Sequence, residues 1–212
     1  MYEDCMPKPS PNCGLPSTAA DAAMWRQHTD SLQACLGALE VTGAAARPLA
    51  GDAAFAHWRD VTVNLRRAGR VIYLVGNGAS ASMASHFAAD LAKNAQVHTQ
   101  VFTDLALLTA VANDVSFDQV FVEPLRSRLV AGDMLVAISS SGNSPNVVNA
   151  CRYANEIGAA VVTISAMGPD NAIRALGDLN FWIPANNYGM AETGHACILH
   201  YWMDSVSTKS TF

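Results

Sequence analysis

No stretch of this 212-residue chain stays apolar for the roughly eighteen residues that a membrane-crossing helix needs, because charged or turn residues break every run earlier. The expectation is a soluble protein with no membrane partner. Positive charge is also scarce: Lys and Arg total 13 against 18 Asp and Glu, giving a formal net charge of -5 and a pI near 5.6. With no basic stripe, nucleic acid is excluded as a partner. Small molecules and copies of the same chain remain. Cysteine is sparse too, and its odd total of 5 without regular spacing suits reduced thiols in a cytoplasm better than a disulfide framework. Cys35, Cys151 and Cys197 fall in predicted helices, where core packing is their expected role. The start, Met1-Tyr2-Glu3-Asp4-Cys5, lacks the basic head and apolar core of a secretory signal.

What the chain does have is apolar residues, half of the total, enough to bury the core of one α/β domain. Residues 1–16 carry four prolines and no periodicity, and read as a loose N-terminal arm. Helical spacing begins after Ser17. It places Ala20, Met24, His28, Leu32, Cys35, Leu36 and Leu39 near one stripe, predicting an amphipathic helix that ends around Gly43. A second helix is expected over 51–67, stopped by Gly69. Residues 17–69 then form extra helices for packing and oligomerisation.

From Arg70 the pattern changes to short β-branched runs at 71–75, 97–102, 134–138, 160–165 and 180–184. Helical stretches near 81–93, 105–112, 117–129, 146–157 and 171–176 separate them. Strands that are apolar along their whole length are buried on both faces, as in parallel sheets with right-handed crossovers. The expected fold is α/β: a three-layer, doubly wound parallel sheet of about five strands, flavodoxin-type, over 70–212, closed by a helix near 190–207 and forming one domain over 17–212.

Two loops follow strands and open helices: Gly76-Asn77-Gly78-Ala79-Ser80 and Ser139-Ser140-Ser141-Gly142-Asn143-Ser144. Either could be a tight turn with a helix cap. Together they carry more hydroxyls than turns need, and backbone N–H groups at a helix start attract anions. A phosphorylated, hydroxyl-rich ligand is expected. Further on, His86 and Asp90 are four apart on one helix, and Glu192 and His200, eight apart, share a face of the last helix, with His195 about 60° to 120° off that stripe. Two carboxylates and two imidazoles could bind a zinc-class ion or divide acid and base roles, while His86 and Asp90 could equally be a surface i,i+4 pair. His28, His57 and His98 read as core or interface histidines.

These pieces, in this order and spacing, resemble the SIS (sugar isomerase) domain proteins, and within them the phosphoheptose isomerases, over about 53–207. The carriers are the Gly76 to Ser80 loop with His86-Phe87-Ala88-Ala89-Asp90, then Leu108-Thr109-Ala110-Val111-Ala112-Asn113-Asp114, the run from Ile138 to Val147, and the helix bearing Glu192, His195 and His200. The resemblance implies a homotetrameric aldose-ketose isomerase with sites shared between subunits. It would interconvert sedoheptulose 7-phosphate and D-glycero-D-manno-heptose 7-phosphate through an enediol. Ser80, Ser139, Ser141 and Ser144 would hold the phosphate, with Ser140 and Asn77 shaping the loops. Asp114 would position the sugar. His86, Asp90, Glu192 and His200 would be ligands of zinc or another divalent metal, and Asp90 and His200 would move the proton between C1 and C2. Relative to the usual family pattern, Asp90 stands in place of Glu, Glu192 in place of Gln and Gly189 in place of an acidic residue. The arginine and proline-rich stretch usual after Asp90 is missing. Glu192, a second carboxylate beside Asp90, would strengthen metal binding, since two imidazoles and two carboxylates make a sound divalent site. The alternative within the same resemblance is a SIS domain that binds sugar phosphate without turnover, as a regulator or partner-binding tetramer.

Overall fold

The computed structural model describes residues 19–207, so the predicted arm at 1–16 lies outside the described residues. The chain begins with helix α1 (Ala19–Gly37), strand β1 (Glu40–Gly43), strand β2 (Pro48–Leu49) and helix α2 (Gly51–Arg67). The alternating part follows: β3 (Val71–Gly76), α3 (Ala79–Ala95), β4 (His98–Val101), α4 (Leu105–Asp114), α5 (Val122–Arg126), β5 (Met134–Ser139), α6 (Pro145–Ile157), β6 (Ala160–Ser165), β7 (Leu179–Trp182) and α7 (Tyr188–Val206).

The strands form one sheet in the order β2-β1-β7-β6-β5-β3-β4. Its five-strand parallel part matches the expected doubly wound layer structure. Every residue of β5 is buried and nearly all of β3 and β6, as continuous apolar runs require at the sheet centre. One core face packs Trp58 flat on Trp202, ring centroids 4.0 Å apart, under α2, α3 and α7. The other face lies under α4, α5 and α6.

The sheet has seven strands rather than about five, because the predicted first helix is too long. It stops at Gly37, and Glu40–Gly43 pairs antiparallel with β7 instead. Val41 and Thr42 are β-branched, and a free sheet edge offers their backbone groups partners. Asn180 secures the added strand, donating from Nδ2 to the Thr42 carbonyl at 3.3 Å and accepting from Thr163 Oγ1 at 2.7 Å. The helix expected over 117–129 is divided into a 3₁₀ turn, Phe117–Gln119, and the short α5, and that expected over 171–176 is a 3₁₀ turn, Ala172–Ala175.

At the other end of the strands a buried carboxylate fixes register: Asp133 accepts from the Val71 N–H at 3.0 Å and the Val130 N–H at 3.1 Å, so β3 starts level with β5. That register carries through to the opposite end, where both loops emerge.

Candidate functional site

The chain leaves β3 for β4 on one side of the sheet and returns to β5 on the other, so β3 and β5 are neighbours whose outgoing helices diverge. Ligands of open α/β sheets sit at this switch point, outside the carboxyl ends of the strands. Both predicted loops lie there. They enclose a pocket of about 140 Å³ lined by Asn77, Ser80, Ser139, Ser140, Ser141 and Ser144, with Ile138 as floor and Tyr188 and Glu192 from α7 as wall. Larger hollows exist, one of about 640 Å³ at the opposite ends of the strands, but no serine lines that one.

The two loops are tied together by a reciprocal amide pair. Asn77 Nδ2 donates to Asn146 Oδ1 and Asn146 Nδ2 to Asn77 Oδ1, both at 2.9 Å. Asn146 is almost fully buried, and its Oδ1 also takes the Val147 N–H at 3.0 Å. Ser139 Oγ accepts from the Gly142 N–H at 3.2 Å and lies 3.5 Å from Ser144 Oγ. Ser80 and Ser140 form no side-chain hydrogen bond among the described residues, which leaves their hydroxyls for a ligand. Ser144 stands at the N-cap position of α6 without a side-chain capping bond, and Pro145 lies in the first turn, so the positive end of that helix opens beside the hydroxyls. Hydroxyl donors and a helix start at one small pocket suit a phosphate dianion.

Asn146 and Tyr188 were not among the expected site residues. Asn146 sits inside the motif that carried the serine loop, and its one signal was an amide on the buried face of α6.

Three of the acid–base candidates, His86, Asp90 and His200, meet where α3 packs against α7. His86 Nε2 stands 3.4 Å from Asp90 Oδ2, and Lys93 Nζ is 3.6 Å from Asp90 Oδ1. The His200 ring lies 5.7 Å from the His86 ring and 4.7 Å from Phe87, centroid to centroid. Glu192, two turns earlier on α7, belongs to the serine pocket. Asp114 ends α4, exposed and taking a 2.8 Å hydrogen bond from Asn113, and does not line the pocket. Among the described residues no three His, Cys, Asp or Glu side chains already stand as a metal-holding group.

His195 turns the other way, as its offset from the Glu192–His200 stripe requires. It is fully buried, and neither ring nitrogen has a well-aligned hydrogen bond. Burial pushes its pKa down to about 4, outweighing the Ser165 backbone that faces the ring. Between pH 6.5 and about 4 the unfolded chain takes up a proton here that the folded chain refuses, so stability falls as pH falls. At pH 4 the loss approaches about 3 kcal/mol, at 1.36 kcal/mol per pKa unit. Thermal melts of His195→Leu are therefore expected to fall less steeply than wild type over that window; equal slopes would remove His195 from the account. His28, His57 and His98 are exposed, so none is a core residue. Cys35 and Cys151 are buried as expected, but Cys197 is exposed on α7 and does not pack in the core.

Residues 50–166 match the SIS domain family. The chain is 35% identical over 156 residues to a phosphoheptose isomerase of Geobacter sp. strain M21, covering 70% of this chain and 80% of that one. Over 189 residues it is 34% identical to a phosphoheptose isomerase of Azoarcus sp. strain BH72, covering 85% and 91%. Its structure is similar to that of a phosphoheptose isomerase from Neisseria gonorrhoeae, with a TM-score of 0.75 and 26% identity over 89% of this chain and 98% of the other.

Proposed function

The chain belongs to the SIS domain family, and from that membership we propose that it is a phosphoheptose isomerase, an aldose-ketose isomerase interconverting sedoheptulose 7-phosphate and D-glycero-D-manno-heptose 7-phosphate. The observation that carries the assignment is the single pocket formed by six hydroxyl and amide side chains at the switch point, with His86, Asp90 and His200 alongside. A non-catalytic regulator needs the pocket but not that second group.

The phosphate enters the serine pocket, where Ser80, Ser139, Ser141 and Ser144 donate to its oxygens and Asn77 and Ser140 hold the loop shape. This fixes one end of the sugar and aligns the other with the acid–base groups. Starting from the ketose, one of Asp90 and His200 takes a proton from C1 while the other gives one to O2, forming the enediol. O1 then loses its proton, C1 becomes the carbonyl carbon, and C2 receives the proton back. Asp114 serves the sugar from a neighbouring subunit, in keeping with its place outside this chain's pocket.

His86, Asp90, Glu192 and His200 fit a divalent ion of the zinc class by donor type, two imidazoles and two carboxylates. They would hold it, and the ion would polarise the substrate carbonyl as a Lewis acid. Purified protein is expected to convert sedoheptulose 7-phosphate, to contain zinc or a similar metal, and to lose turnover to a chelator. Absence of turnover with metal supplied would overturn the isomerase assignment; full turnover in the metal-free protein would overturn the metal.

A tetramer completes the proposal. α2 is committed to the core through Trp58, whereas α1 leaves Met24 and Trp25 exposed on a helix that the sheet does not need. Light scattering is expected to return four times the 22.4 kDa chain mass, and a monomeric mass at micromolar protein would refute it.

A further inference from the structure

The serine loop is held from behind by the segment that follows β6, and none of the holding groups touches the pocket. The Ala166 N–H donates to the Ser140 carbonyl at 3.1 Å, the Ile173 N–H to the Gly142 carbonyl at 3.1 Å, and the Ala172 N–H to Asn143 Oδ1 at 2.9 Å. Asn171 stands in the middle of this grip and is 3% exposed. Its Nδ2 faces Gly168 O at 2.8 Å, Ser165 Oγ at 3.1 Å and Ala166 O at 3.3 Å. Three oxygens there fix the orientation of the amide, since the reverse would set carbonyl against carbonyl.

Its Oδ1 then points at the loop and has no hydrogen-bond partner. It lies so close that a Cβ at Gly142 would fall 2.0 Å from it, and Gly142 has φ +64°, a conformation that glycine adopts without strain. A buried carbonyl left without a donor forfeits the hydrogen bonds that water gave it in the unfolded chain. Such a cost in a native fold calls for a role.

We infer that Asn171, seconded by Asn143, is a positioning residue for phosphate: its amide is the stop against which Gly142 rests, and it sets the direction of the Ser139, Ser140 and Ser141 hydroxyls. It touches neither substrate nor reacting atoms. The inference rests on the serine pocket holding phosphate.

Inorganic phosphate binding by calorimetry tests it, together with KM and kcat on sedoheptulose 7-phosphate. Asn171→Ala is expected to weaken phosphate binding and raise KM by about tenfold to a hundredfold, the scale of an ångström-sized misplacement, while kcat stays within about threefold. Gly142→Ala is expected to show the same defect, and the double variant Gly142→Ala/Asn171→Ala less than the sum of the two, because removing the amide takes away the two atoms nearest the methyl, Oδ1 and Cγ, and leaves only Cβ at 2.7 Å. Asn143→Ala, at an exposed position that cannot unfold the core, is expected to show the same split at smaller size. If Asn171→Ala does not fold, Asn143→Ala decides alone. Variants with lower melting temperature but wild-type phosphate affinity and KM would overturn the inference, leaving Asn171 a structural residue. Wild-type protein that does not bind phosphate would overturn the pocket assignment itself, and the inference with it.

Discussion

The Asp90→Asn variant is expected to lose isomerase turnover by about 10²- to 10⁴-fold, the range that a positioned acid or base contributes, while folding normally and still binding phosphate. The substitution keeps the shape of the side chain and removes its charge. Asp90 is 19% exposed and its contacts are a 3.4 Å approach from His86 and a 3.6 Å approach from Lys93, both partners being more than half exposed. Screened pairs of this kind contribute at most about 1 kcal/mol, so stability changes little. The serine pocket lies at the start of α3, about three turns from Asp90, and Asp90 is not among the residues that line it. His200→Asn is expected to behave alike, because His200 faces the same group across the α3–α7 contact. Rates on sedoheptulose 7-phosphate, phosphate affinity and melting temperature, measured side by side, separate the outcomes. Turnover unchanged by either substitution would remove that residue from the chemistry, and lost phosphate binding in step with lost turnover would mean that the two groups are not distinct.

The parts of this fold that could be read from sequence are those where one segment decides its own structure. The runs of β5 and β6 carry apolar residues on both faces, and only the middle of a sheet accommodates that. The serine loop announces itself because no turn requires so many hydroxyls. Reading failed where a distant partner decides. Glu40–Gly43 continues a helical stripe by spacing alone, and it is a strand because the β7 edge, some 140 residues further on, supplies its hydrogen bonds. Asn146 and Asn77 are 69 residues apart, and each alone looks like an ordinary loop or helix-start amide. Asn171 lies in a predicted helix whose first residues instead brace the serine loop. The acid–base set was legible as helix faces, since i,i+4 and i,i+8 spacings hold whatever the helix packs on. Which of its members meet was not. His200 reaches His86 because α7 crosses α3 at that height, while Glu192 on the same stripe belongs to the phosphate pocket.

Gly76→Ala is expected to abolish most activity through a single methyl group. Gly76 ends β3, and a Cβ there would lie 2.6 Å from Ser80 Cβ and 2.8 Å from the Ile138 carbonyl oxygen. Neither neighbour is a flexible side-chain tip. Ile138 is fully buried in β5, where its backbone is paired on both sides, and Ser80 is held in the first turn of α3 by its N–H to the Asn77 carbonyl. The methyl therefore pushes the two halves of the phosphate cradle apart, with Ser80 on one side and the strand leading to Ser139 on the other. Overpacking of this kind costs about 1–3 kcal/mol, which for a chain of this length lowers the melting temperature by roughly 2–4 °C per kcal/mol. The fold survives that loss. The site does not, because an ångström of displacement costs about 10²-fold and here both walls of the pocket move. Gly51→Ala is the matching control: it opens α2 with no atom within 4 Å of the added methyl and is expected to leave both stability and rate at wild-type values. Phosphate affinity should fall with the rate in Gly76→Ala, whereas Asp90→Asn keeps it. A Gly76→Ala protein with normal turnover would show that the β3–α3 turn has room to yield, and that the close approach of strand, loop and helix does not define the pocket.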